Sequence, residues 1–373
     1  VHSLTRDKLR FRLAVTLAVL AVFPLVEMGL RLADYEYAAP DEPLGIWNPR
    51  EDRAMRFGSG MFTTAPRQLW VPRPGARVVW GADERINEAG YRGDLRPAGD
   101  HPGVLRVLVL GESCTFGYGV PNAETFSSGL EAILRQHGRE VEVLNAGVIG
   151  YTVRQGLERY RAMGRSYRPD FVVAAFGEVN EHFDAGGPSD ARKIELPLET
   201  RSTWSDAVGF VRANVRIAHL LASLADGMSE ERRIERDLEF RRLSYEHAQR
   251  QHMGEVDWKG QRRVPLADFE AATLALANEV RDDAARFVAL SLPRRQEAEE
   301  GAPVLLLYTR SLEALAAREN LAIADAYRAF RDAGTQGVPE SDLFRDAWHL
   351  STRGHALVAS TLAQRIESIL DPR

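Results

Sequence analysis

The feature that most restricts the fold is a set of short, solid apolar runs, each stopping at a glycine or a polar residue. Arg106–Leu110 stops at Gly111, Val141–Leu144 at Asn145-Ala146-Gly147, and Phe171–Phe176 at Gly177. Pro303–Tyr308 is a further run of this kind, and Leu321–Ala324 a weaker one. Short apolar runs without polar alternation read as strands covered on both faces, the condition of a parallel sheet. Between them, Ala123–Gln136, Val153–Ser166, Ser311–Glu319 and Arg353–Leu370 carry helical patterns. This alternation predicts an α/β fold, a three-layer α/β/α sandwich around a central parallel sheet.

The ends of the chain and its middle read differently. Arg6, Lys8, Arg10 and Arg12 precede an apolar run, Leu13–Val26, which Glu27 interrupts before Met28–Leu32. The uninterrupted part is ~21 Å long as a helix; extended to Leu32 it reaches ~30 Å, enough to cross a bilayer. Glu27 can pair with Arg31 four residues on. Residues 13–32 are therefore expected to be a transmembrane signal anchor, with 1–12 cytoplasmic. Basic residues ahead of the run place the rest of the chain outside the cytoplasm. A cleaved signal peptide and a buried soluble helix are the other readings.

Over residues 33 to about 100, prolines at 40, 43, 49, 66, 72, 74 and 97 break any long helix, and 33–103 form one segment. They are expected to form a loop- and β-rich leader, with Gln68–Val71 and Ala76–Trp80 as candidate strands. The remainder, 104–373, is expected to be one domain. A charged, helical insertion is expected at about 185–300, with one apolar stretch at Val215–Leu224.

A net charge of −5 and the absence of a basic stripe argue against nucleic acid as a partner. Arg232, Arg233 and Arg236 alternate with Glu230, Glu231, Glu235 and Glu239, the pattern of a solvated helix face. Cys114 is the single cysteine, so neither an intrachain disulfide nor a cysteine-based zinc site can form. No cofactor and no metal are expected.

In an open parallel sheet, functional groups gather outside the carboxyl ends of the strands. Ser113 follows the first strand, Gly150 the second and Asn180 the third; Asp346 and His349 lie just before the last helix. Each has a plain structural alternative: a helix cap for Ser113 and Asn180, a tight turn at Gly150, a surface pair for Asp346 and His349. Their order along this strand–helix pattern favours the functional reading. The segment Gly111-Glu112-Ser113-Cys114-Thr115 is not a G-x-S-x-G elbow, because residue 115 is Thr. The run 111–119 also lacks a P-loop's Gly-Lys-Ser/Thr and the spacing of a dinucleotide fingerprint.

These segments resemble the sequence blocks of the SGNH (GDSL-type) esterases and acylhydrolases over about 104–180 and 300–370. The leader, with Ile86-Asn87 and Gly90-Tyr91-Arg92-Gly93, looks like that of anchored bacterial members. The resemblance implies a flavodoxin-like SGNH hydrolase fold. It also implies a serine nucleophile, Ser113, with His349 as base and Asp346 orienting it. The implied oxyanion hole is the Ser113 and Gly150 N–H groups and the Asn180 amide. Two positions depart from the pattern: Gly-Asp-Ser reads Gly-Glu-Ser at 111–113, and Glu178 stands where a glycine is usual, two residues before Asn180. His355 is the rival base, Cys114 a weaker rival nucleophile, and His182 is expected to be a loop residue.

The expected function is hydrolysis of an ester-linked acyl group, with acetyl as one candidate, from a small-molecule, glycan or lipid substrate. An O-acyltransferase acting on an envelope or exported polysaccharide would use the same residues. A non-catalytic domain binding glycan or a membrane partner is the third reading. The expected location is the bacterial inner membrane, with the catalytic domain outside the cytoplasm.

Overall fold

The computed structural model describes residues 8, 11–12, 22–35, 61–78, 84–177, 179–183, 185, 188–195, 211, 215–226, 258–296, 300 and 304–372. Residues 22–32 form a helix (α1). An antiparallel hairpin follows, β1 (Phe62–Ala65) with β2 (Leu69–Pro72). The domain then alternates: β3 (Leu105–Gly111), α2 (Ser113–Phe116), α3 (Phe126–Gln136), β4 (Val141–Asn145), α4 (Val153–Ala162) and β5 (Phe171–Ala175). After β5 come α5 (Asp190–Glu195), α6 (Arg216–Asp226), α7 (Leu266–Asp282), β6 (Arg286–Ser291), α8 (Val304–Glu319) and β7 (Ala322–Asp325). The chain ends with α9 (Ala326–Thr335), α10 (Glu340–Leu343) and α11 (Thr352–Leu370).

The five core strands are all parallel, in the order β4-β3-β5-β6-β7. That is the flavodoxin-like order, whose direction of winding reverses between the first and third core strands. Successive side chains of a strand point to opposite faces. Val107 and Val109 of β3 and Val173 of β5 accordingly pack with Phe126 and Leu130 of α3 and Val358 and Leu362 of α11. Leu108, Leu110 and Val172 face the other way, toward Leu157 of α4, Leu276 of α7 and Leu305 of α8. The leader joins this second layer through Trp70, Val78, Ile86 and Tyr91.

Several expectations are corrected. Pro303–Tyr308 is not a strand: Val304–Glu319 is one helix. The apolar run is short enough to suit either state, and the buried residues continue at helical spacing through Leu305, Tyr308, Leu312 and Leu315. The strand in question is Arg286–Ser291, inside the region read as insertion, so α7 and β6 belong to the core. The candidate strand Gln68–Val71 corresponds to β2; of Ala76–Trp80, the described residues 76–78 supply an isolated bridge, Arg77 with Arg85, and Val79 lies outside the described residues. Trp80, Glu178 and the charged run at 230–239 lie outside the described residues. Among the described residues, no helix is long and apolar enough to cross a membrane. Residues 13–21 of the expected 13–32 span lie outside them, so the fold gives the transmembrane helix no support.

Candidate active site

At the end of β3 the chain turns at once into α2, whose first residue is Ser113. The turn is closed by Gly117 at φ 86°. A Cβ there would stand 2.8 Å from the Arg92 guanidinium, so both backbone and space require glycine. Arg92, from the leader, is buried and donates to the carbonyls of Phe116 (2.9 Å), Gly117 (2.8 Å) and Val120 (2.7 Å). It also pairs with Glu84 at 2.6 Å. A short helix leaves its last carbonyls without partners, and one forked guanidinium satisfies several. The leader thus fixes where the Ser113 turn sits.

Asp346 and His349 lie in a loop between α10 and α11. A bridge between Phe344 and Leu350, and the Arg345 N–H donating to the His349 carbonyl at 2.8 Å, close that loop. Asp346 Oδ1 accepts the N–H groups of Trp348 (3.0 Å) and His349 (2.8 Å), while Oδ2 stands 2.7 Å from His349 Nδ1. Burial works against ionisation of Asp346. The imidazole and the two N–H groups outweigh it and hold the carboxyl below its ordinary range. An ionised Asp346 accepts the proton on Nδ1, which leaves His349 Nε2 as an acceptor. Ser113 Oγ lies 3.0 Å from Nε2, across 236 positions of chain. The Tyr118 ring stacks on the imidazole with centroids 4.2 Å apart and planes 24° apart.

Gly150 follows β4 with φ 77°, its Cα facing the Trp70 ring. Trp70 Nε1 donates to the Ile149 carbonyl at 3.0 Å, and Arg263 Nη1 to the Gly150 carbonyl at 2.9 Å. The two peptides flanking Gly150 are therefore each held by one side chain, with the Gly150 N–H free of any backbone acceptor among the described residues. Asn180 opens a short 3-10 turn after β5. Its Nδ2 donates to the Glu112 carboxylate, next to Ser113. An amide NH₂ has two protons, so one remains for another acceptor. Glu181 Oε1 accepts the Val153 N–H at 2.9 Å, tying this turn to the start of α4. The structure thus brings Ser113, His349 and Asp346 into one hydrogen-bonded line and joins Asn180 to the Ser113 turn through Glu112.

A family model described as GDSL-like lipase/acylhydrolase matches residues 109–357, about two thirds of the chain. The chain belongs to this GDSL-like family. An arylesterase from Vibrio mimicus is 35% identical over 72 residues, 19% of this chain and 36% of that protein. The chain thus spans about a third of the length of that curated relative. A lipolytic protein of the G-D-S-L family from Desulfitobacterium hafniense shares 14% identity at TM-score 0.41, covering 70% of this chain and 98% of its own. An acetylxylan esterase from Geobacillus stearothermophilus shares 14% at TM-score 0.45, covering 70% and 94%. The fold assignment rests on the sheet order, not on these two likenesses.

Membership in the GDSL-like family makes the Gly-Glu-Ser departure readable. The longer carboxylate of Glu112 is buried and takes the Asn180 amide as a donor. The other candidate residues lie apart from the Ser113–His349–Asp346 line. His355 faces α3, where its Nδ1 accepts the Phe126 N–H at 3.1 Å and its ring stacks on Phe126. Burial, with the charge of Arg92 nearby, pushes it down to about 3, so it is neutral. Cys114 is buried and donates to the Trp348 carbonyl at 3.3 Å. His182, expected in a loop, is fully buried and stacked on Tyr308 at 4.1 Å. Among the described residues no three His, Cys, Asp or Glu side chains form a cluster that could hold a metal.

Sequence reasoning missed Trp70, Tyr118, Arg263 and the work of Arg92. Arg92 lay inside the quoted Gly90-Tyr91-Arg92-Gly93, and Tyr118 sits between two glycines directly after the Ser block. Trp70 and Arg263 carry no local pattern that sets them apart.

Proposed function

We propose that the protein is a serine hydrolase that cleaves an ester-linked acyl group, with Ser113 as nucleophile, His349 as base and Asp346 as its orienting carboxylate. The observation that carries this reading is the unbroken line Ser113 Oγ–His349 Nε2, His349 Nδ1–Asp346 Oδ2, at 3.0 and 2.7 Å. A serine hydroxyl is a weak nucleophile until a base removes its proton. His349 Nε2 takes that proton as Oγ attacks the ester carbonyl carbon, and Asp346 stabilises the imidazolium. The carbonyl oxygen becomes an oxyanion, met by the N–H groups of Ser113 and Gly150 and the second amide proton of Asn180. Collapse breaks the ester C–O bond, and His349 returns the proton to the leaving alcohol. Water, deprotonated by His349, then attacks the acyl-Ser113, releasing the carboxylic acid and restoring the hydroxyl.

The test is turnover of p-nitrophenyl acetate together with fluorophosphonate labelling. Ser113→Ala is expected to abolish labelling and lower turnover by at least ~10⁴-fold. Labelling that persists in Ser113→Ala overturns the assignment.

We also propose that residues 13–32 tether the chain to a bacterial inner membrane with the hydrolase domain outside the cytoplasm. The support is in the sequence: Arg6, Lys8, Arg10 and Arg12 ahead of a run that reaches ~30 Å as a helix. Extraction with alkaline carbonate tests it; release of the intact chain into the supernatant overturns the tether.

A further inference from the structure

Resting on that tether reading, we propose that α6, from the middle of the chain, lies in the surface of the lipid bilayer beside α1, the two forming one membrane-contacting unit clasped at Glu27. Glu27 is the only acidic residue in 13–32. Its Oε1 accepts the Arg216 N–H at 3.0 Å and Arg31 Nε at 2.8 Å, and its Oε2 accepts the Ile217 N–H at 3.0 Å. The first N–H groups of a helix have no partner within it, so Glu27 caps α6 across 189 positions of chain. Beyond the turn that ends α1, Tyr35 Oη lies 2.6 Å from Ser223 Oγ of α6. Glu27 thus holds the start of α6, and Tyr35, past the end of α1, holds its middle.

Apart from Arg31, the outward surface of the unit carries large apolar side chains. Phe23, Leu25, Met28 and Leu32 of α1 and Leu221 and Leu224 of α6 are each at least half exposed. Helical residues advance by about 100° each, so the exposed apolar residues of α1 cover more than half of its circumference. A protein partner covers one stripe of a helix; lipid covers all that is offered. Charge points the same way: the cluster Arg6 to Arg12 ahead of the run suits anionic head groups. Glu27, the one carboxylate of 13–32, is occupied by α6 and Arg31. At ~16 Å, α6 is too short to span, so it lies at the interface.

The test uses the full chain in vesicles of phosphatidylcholine and phosphatidylglycerol, on a Cys114→Ala background. An environment-sensitive fluorophore is placed at Leu224→Cys, Leu25→Cys or, as a control far from both helices, Arg328→Cys. Nitroxide-labelled lipids are expected to quench Leu224 to within about twofold of Leu25 and to leave Arg328 unquenched. Adding Glu27→Ala is expected to reduce quenching at Leu224 several-fold while sparing Leu25. Quenching at Leu25 but not at Leu224 overturns the proposal and leaves the tether standing; quenching at neither overturns both. Quenching at Leu224 that ignores Glu27→Ala removes the clasp. A shift at Leu224 without vesicles, growing with protein concentration, puts a second copy of the chain on this face instead and overturns the lipid assignment.

Discussion

The carboxyl edge of the sheet carries two sets of the same three side-chain types. In one, Asp346, His349 and Tyr118 meet at the Ser113 turn; in the other, Glu181 and His182, within the short turn after β5, lie by Tyr308 of α8. Both imidazoles are buried and both stack on a tyrosine, at 4.2 and 4.1 Å. Their electrostatics are opposite. Asp346 is paired with an imidazole and two N–H donors and stays ionised. Burial, with Glu112 close by, pushes Glu181 up to about 8, so it holds its proton at neutral pH. His182 is driven to the neutral form by burial and by the charges of Arg294 and Arg262, and among the described residues neither of its ring nitrogens has a hydrogen-bond partner. Burial raises both carboxyl groups; what separates them is whether the neighbours are several hydrogen-bond donors or another carboxyl group.

Substitutions break or sharpen this contrast. Asp346→Asn is expected to lower kcat by ~10⁴-fold, because an amide no longer enforces the Nδ1–H tautomer; Glu181→Gln, at the matching place in the other set, should leave kcat within about threefold, since it replaces one neutral group by another. Equal losses in the two variants would erase the distinction between the sets. Asn180→Ala removes a donor proposed to meet the oxyanion and should cost ~10²–10³-fold in kcat with little change in KM.

The Glu181 set also makes a prediction about stability. The native carboxyl keeps its proton up to about 8, whereas the unfolded chain loses it near the usual 4.5. Between those values the native state binds more protons, so unfolding free energy falls as pH rises, by up to ~1.4 kcal/mol per unit. Glu181→Gln should flatten that slope in urea titrations at pH 5, 6, 7 and 8. A slope unchanged by the substitution would mean that Glu181 is ionised in the native state. The smallest effect is expected at Tyr118. Tyr118→Ala removes a stacked face from the imidazole that becomes cationic during the reaction, a loss of about two- to fivefold in kcat, and Tyr118→Phe should restore it.

The legible parts of the sequence were those with local causes. Solid apolar runs stopping at glycine announced β3, β4 and β5, and the Asp346-x-x-His349 spacing announced a carboxylate within one turn of an imidazole. The run Pro303–Tyr308 was misread because strand and buried helix look alike over so few residues. Its neighbour Arg286–Ser291 was passed over beside the long helical pattern of α7. The fully buried state of His182 had no local signature at all: it depends on Tyr308 of α8, which approaches only after the sheet has formed.

By itself the sequence determined the chemistry available, namely a serine at the end of a strand, an imidazole with a carboxylate three residues before it, and an apolar N-terminal run with basic residues ahead. Local spacing settles such things because helix, turn and strand geometry act over a few residues. The tertiary structure alone decided that Ser113 and His349 meet, that Arg92 and Arg263 brace the loops around them, that Glu112 takes hold of Asn180, and that Glu27 caps a helix far along the chain. Those contacts join residues tens to hundreds of positions apart. They exist only because the parallel order of the sheet delivers the strand ends to one edge, where burial and neighbouring charge then set which groups carry a proton.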